Sequence, residues 1–143
     1  MFSNILVPTD GSALALAAEG KALDFAREAE ATVIFLVVIE PFRVFSMEQS
    51  SSSEEDPDSL AYMQAARLLA EAEANARRLG VRCRSVAETD AQVHAAIIRV
   101  ARDYGCDLIA IASHGRKGYK SLLLGSVTAK VLSHSRIPVL VYH

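Results

Sequence analysis

Residues 32–39 read Thr-Val-Ile-Phe-Leu-Val-Val-Ile, a run with no polar residue after its first position. Successive side chains of a strand point to opposite faces. A strand built from this run therefore offers apolar groups to both sides and has to be covered twice. Parallel sheets with helices on both faces meet that demand. Asn4 to Pro8 and Asp107 to Ala112 are shorter runs of the same kind. Val81 to Ala87 differs, since Val, Cys and Val alternate with Arg and Ser. That pattern predicts a strand with one wetter face, near a sheet edge. Ile137 to Tyr142 supplies a last strand.

Helical patterns fill the gaps between these runs. Ser12 is placed to cap a helix rich in Ala and Leu that runs to about Ala29. Asp58 or Ser59 is expected to cap a long helix whose apolar positions Tyr62, Ala65, Leu69, Ala72, Ala76 and Leu79 step by three and four, and Gly80 closes it. Asp90 is expected to cap a third helix with Val93, Ile97, Val100 and Tyr104 on one face, ended by Gly105. Gly125-Ser126 opens a fourth, to about His134. The order βαβαβαβαβ implies an α/β fold: a single three-layer α/β/α domain over residues 1–143, with an open, doubly wound, five-stranded parallel sheet. The polar stretch within Glu40 to Asp58, about 43–57, is expected to be a mobile loop, because the pieces on either side of it are too incomplete to fold alone.

Composition narrows the function. A formal charge of −2 provides no basic footprint for nucleic acid, and few aromatics with no Trp argue against base-stacking platforms. No apolar run reaches the length of a transmembrane helix, and the N-terminus lacks the basic start and cleavage site of a secretory signal. Cys83 and Cys106 lie in different elements and are expected to be free thiols of a cytoplasmic protein. The four histidines show no metal-ligand spacing and the cysteines form no CxxC, so no dedicated metal site is expected.

In sheets of this class, ligands sit beyond the carboxyl ends of the strands, where the strand order reverses. The loop after the first strand (Pro8 to Ser12) and the loop after the fourth (Ser113 to Ser126) should meet there. The second carries most of the information. Within Ala112 to Thr128, glycines allow close approach of an anion to backbone amides, and Gly125-Ser126 adds a helix start with unpaired N–H groups. Ser126 and Thr128 offer hydroxyls, and Arg116, Lys117 and Lys120 offer charge. This is not a P-loop, whose spacing Gly118-Tyr119-Lys120-Ser121 misses, and no GxGxxG is present. A plain turn with a helix cap has the same local appearance. An Asx-turn that ends the strand is the alternative role for Asp10, and His114 reads as a hydrogen-bonded loop residue before it reads as a catalyst.

The chain resembles the universal stress protein family along its whole length. The carrying segments are Ile5-Leu6-Val7-Pro8-Thr9-Asp10-Gly11-Ser12, Asp107-Leu108-Ile109-Ala110-Ile111-Ala112-Ser113-His114-Gly115-Arg116, Leu122-Leu123-Leu124-Gly125-Ser126-Val127 and Ile137-Pro138-Val139-Leu140-Val141. The strand order expected with this fold is 3-2-1-4-5. The family's ATP-binding branch carries Gly-x2-Gly-x9-Gly-Ser/Thr. Gly115 and Gly125-Ser126 match its later parts, and Ala112 stands at the first glycine. A methyl there crowds a ribose or phosphate if the backbone requires positive φ.

The resemblance implies a regulatory stress-response protein that binds ATP or another adenine nucleotide, with Mg²⁺ accompanying the phosphates. Pro8, Thr9 and Asp10 would line the nucleoside, with Asp10 near ribose or a metal-bound phosphate. Val38 and Ile111 would pack on adenine. Ala112, Gly115 and Arg116 would pass along ribose and phosphates, and Gly125, Ser126, Val127 and Thr128 would hold phosphates. The family's Gly-x-Pro turn after the third strand is replaced by Thr89-Asp90-Ala91, which reshapes that rim. The resemblance also implies a homodimer through the last strand, Ile137 to Tyr142. Catalysis ranks low, at most weak ATP hydrolysis, since Asp10 is the one candidate base and neither loop offers an arginine finger or second carboxylate. A nucleotide-free interaction protein of the same fold is the remaining alternative. A phospho-receiver domain fails for want of its second acid after the first strand.

Overall fold

The structure is a computed structural model and describes residues 1–41, 57–116 and 123–143. Its elements are β1 (Asn4–Pro8), α1 (Ala13–Ala29), β2 (Thr32–Ile39), α2 (Pro57–Arg78), β3 (Cys83–Thr89), α3 (Val93–Asp103), β4 (Leu108–Ala112), α4 (Ser126–His134) and β5 (Val139–Tyr142). The sheet has five strands in the order β3-β2-β1-β4-β5, and all its pairings are parallel. The expected architecture and strand order are both present.

Alternation along the central strands divides the core in two. Ile5 and Val7 of β1, with Val33, Phe35 and Val37 of β2, pack beneath α1 and α2. Leu6, Ile34 and Leu36 point the other way, toward Ile97, Val100 and Val131 of α3 and α4. Burying one such side chain fully contributes roughly 1.5–3 kcal/mol. Both edges match expectation, with β3 carrying a wetter face and β5 last.

Helix ends follow local chemistry, with corrections. The Ser12 side chain accepts the Ala15 N–H at 3.2 Å, as a cap should. Asp58 and Ser59 do not cap α2, because the helix already includes Pro57. The expected loop of about 43–57 lies, apart from Pro57, outside the described residues. Asp90 does not cap α3 either. Gln92 is the N-cap, without a side-chain bond, while Asp90 accepts the Gln92 N–H at 2.9 Å and holds Arg99 at 3.0 Å. Tyr62 leaves the expected buried stripe: its ring is exposed, and its hydroxyl pairs with that of Thr89 at 3.1 Å. β3 begins two residues later than the alternation predicts. The Val81 N–H is spent on the Ala76 carbonyl, closing α2 beside Gly80 at φ +71°.

Asp107 joins distant parts of the chain, accepting the backbone N–H groups of Ser3 and Asn4 at 2.9 and 3.0 Å. Glu19 of α1 is buried at 3% exposure among helix partners that include Asn75. Burial raises its pKa first of all; the bond to Asn75 opposes this and Glu71 adds to it. A raised carboxyl contributes stability that is complete below about pH 4.5 and is lost as pH rises through the folded-state value. Glu19→Gln is therefore expected to be more stable than the parent at neutral pH, with the advantage shrinking toward pH 4. Urea unfolding at several pH values checks this, and a pH-independent difference would contradict it.

Candidate functional site

Beyond the carboxyl ends of β1, β2 and β4 lies a cavity of about 350 Å³. That falls in the roughly 300–1,000 Å³ range of small-ligand pockets. The residues that the family resemblance sets around the ligand all line it: Pro8, Thr9, Asp10, Val38, Ile111, Ala112, Gly115, Arg116, Gly125, Ser126, Val127 and Thr128. Lys117 and Lys120 lie outside the described residues.

The two binding loops are tied to each other. Asp10 Oδ1 accepts the Ser12 N–H at 2.9 Å, forming the Asx-turn, and Oδ2 accepts the Arg116 N–H at 2.6 Å. Arg116 Nη2 in turn donates to the Asp10 carbonyl at 2.5 Å. Glycine is required here by proximity, since a Cβ on Gly115 would sit 2.7 Å from Asp10 Oδ2. Gly11, at φ +81°, carries the turn between the strand and Ser12.

A second set of bonds hangs α4 from the end of β4. The Gly125 N–H donates to the Ser113 carbonyl at 2.7 Å, and the Thr128 hydroxyl donates to the Ala112 carbonyl at 2.8 Å. Gly125 is tightly placed, because a Cβ would lie 3.3 Å from both His114 Cα and Ser113 O and the backbone there would have to give by a few tenths of an ångström. Two groups expected to face phosphate are thus engaged within the protein. Ser126 and Val127 begin the helix, and their amides have no carbonyl partner inside it. The helix start remains a favourable place for negative charge.

Ala112 lies in β4, and among the described residues the only non-glycine with positive φ is Glu30. The methyl of Ala112 therefore costs no backbone strain. Val38 is half-buried and Ile111 buried, both on the α3/α4 side of the sheet. His114 Nδ1 lies 3.0 Å from the Ser113 hydroxyl.

One wall was not drawn from the sequence. Ala91, Gln92, Val93, His94 and Ile97 of the β3–α3 corner, with Glu40 and Lys130, complete the cavity. Its signal was the Thr89-Asp90-Ala91 departure at that rim. Burial lowers the pKa of His94, and Lys130 and His134 lower it further against the opposing effect of Asp90. Among the described residues, no group of three or more His, Cys, Asp or Glu could hold a metal ion. None of the described helices is long and apolar enough to cross a membrane.

Comparison with known proteins agrees with the fold. The Universal stress protein family model matches residues 1–143. Universal stress protein YxiE of Bacillus subtilis is 29% identical over 147 aligned residues, covering 99% of each protein. Universal stress protein MJ0577 of Methanocaldococcus jannaschii is 48% identical over a 48-residue stretch, which spans 34% of this chain and 30% of that one. Its solved structure superposes with a TM-score of 0.78 at 30% identity, over 99% of this chain and 95% of that chain. A universal stress protein solved in complex with cAMP shares the fold, with a TM-score of 0.75 at 24% identity, over 99% and 97% of the two chains.

Thr128→Val should destabilise the protein by about 1–2 kcal/mol, because it leaves the Ala112 carbonyl without its donor. Chemical denaturation measures this, and an unchanged midpoint would show that the bond contributes nothing.

Proposed function

The chain belongs to the universal stress protein family, and from that premise we propose that its cavity binds ATP or a related adenine nucleotide and that occupancy regulates the protein. The observation that carries the reading is the convergence of the sequence-derived residues on a single cavity that ends at an open helix N-terminus. Apolar Val38 and Ile111 suit an adenine ring, and the amides of Ser126 and Val127 suit phosphate. The related structure that holds cAMP supports an adenine nucleotide as the ligand class. Mg²⁺ would arrive with the phosphates, whose oxygens are its usual ligands.

Binding, with at most weak hydrolysis, is the activity proposed. Asp10 is the candidate base in the two loops, and both its carboxylate oxygens accept backbone N–H groups. A cytoplasmic setting accords with two free thiols, of which buried Cys106 is pushed up to about 11 and so stays protonated. We further propose a homodimer through β5, a short edge strand whose residues Val139–Tyr142 are all half-buried in the single chain.

Gly125→Asp should abolish nucleotide binding, since the side chain crowds the Ser113–His114 backbone and its charge opposes phosphate. Calorimetric titration with Mg-ATP and AMP tests this, and unchanged affinity would sink the site. Light scattering at micromolar concentration tests the dimer, and a monomer there would refute it.

A further inference from the structure

The cavity's charged groups stand on two walls. Asp10, Glu40 and Arg116 follow β1, β2 and β4, and Arg116 is held against Asp10, whereas α4 and the first turn of α3 contribute Lys130 and His94. Lys130 stands four residues after Ser126 and thus one helical turn further along the same face. The His94 ring lies 5.4 Å from that of His134. His134 Nδ1 lies 2.8 Å from the Lys130 carbonyl, which accepts its hydrogen bond.

We infer that Lys130 and His94 form a subsite for the terminal phosphates of a nucleoside di- or triphosphate, so that the cavity discriminates against the monophosphate; this rests on the nucleotide reading above. Phosphate that reaches the Ser126 and Val127 amides has Lys130 next along the helix, with His94 facing it from α3.

The imidazole makes the subsite pH-responsive. The charged groups facing His94 are Lys130 and His134 from α4 and Asp90 from the β3–α3 turn. Asp90 is already committed to the Gln92 N–H and Arg99. Without an anion, burial first and then Lys130 and His134 of α4 lower the His94 pKa, which disfavours the imidazolium. A phosphate beside it reverses the sign of the local field and favours the imidazolium. Proton uptake and phosphate binding then reinforce each other, and affinity rises as pH falls through the histidine range.

Titrating the full chain with ATP and with AMP at about pH 8 and about pH 6 tests this. The parent should prefer ATP over AMP more strongly at the lower pH. Lys130→Gln should weaken ATP about tenfold at both pH values with little effect on AMP. His94→Gln should retain binding but lose the added preference at low pH. Protonation of ATP itself is common to every variant, so the difference between variants isolates the protein's contribution. Thermal melting of each variant confirms that it is folded. AMP binding combined with an ATP preference untouched by either substitution would overturn the subsite and leave the nucleotide reading standing. No binding of either nucleotide at either pH would overturn that reading, and this subsite with it.

Discussion

Both faces of the central strands are sealed from water, and the remaining architecture follows from that. Ile5 and Leu6 are adjacent, point to opposite sides of the sheet, and are each 0% exposed. A helix layer is needed on either side, and each helix must return the chain to start another parallel strand. With β1 in the middle, one part of the chain winds outward through β2 and β3 and the other through β4 and β5. The connections after β1 and β4 therefore leave toward opposite faces, and a crevice opens between them.

The crevice is shaped by short-range bonds more than by glycine flexibility. A methyl at Gly115 would collide with Asp10 and one at Gly125 would press on the His114 backbone, and neither glycine has a left-handed φ. Asp10 and Arg116 lock one loop to the other, while Thr128 and Gly125 suspend α4 from β4. These ties consume groups that could otherwise have met a ligand. In return they hold the first turn of α4 facing the cavity, where its unpaired amides are useful.

Much of this was legible in residue order. The uninterrupted run at 32–39 indicated a doubly covered strand, the alternation at 81–87 an edge, and Ser12 a cap. Where the reading slipped, a competing local bond was responsible. Asp90 looked like a cap, but its carboxylate serves Gln92 and Arg99. Tyr62 fits the helical period, yet its hydroxyl finds Thr89 and its ring stays in water. The β3–α3 wall was missed because Gln92, His94 and Ile97 have no motif spacing with the loops they face.

The sequence by itself determined the fold class, the strand order expected from the family pattern, and the segments that meet at the crevice. Those follow from hydrophobic periodicity and turn chemistry, which are properties of neighbouring residues. Tertiary structure alone decided which donors are spent and which remain open. It showed that Ala112 sits in ordinary strand geometry, where a methyl adds no strain. It also brought His94 of α3 against His134 of α4 and set Lys130 on the same cavity wall. The segments holding His94 and His134 are far apart in the chain, and only the packing of two helices on one sheet face brings them together.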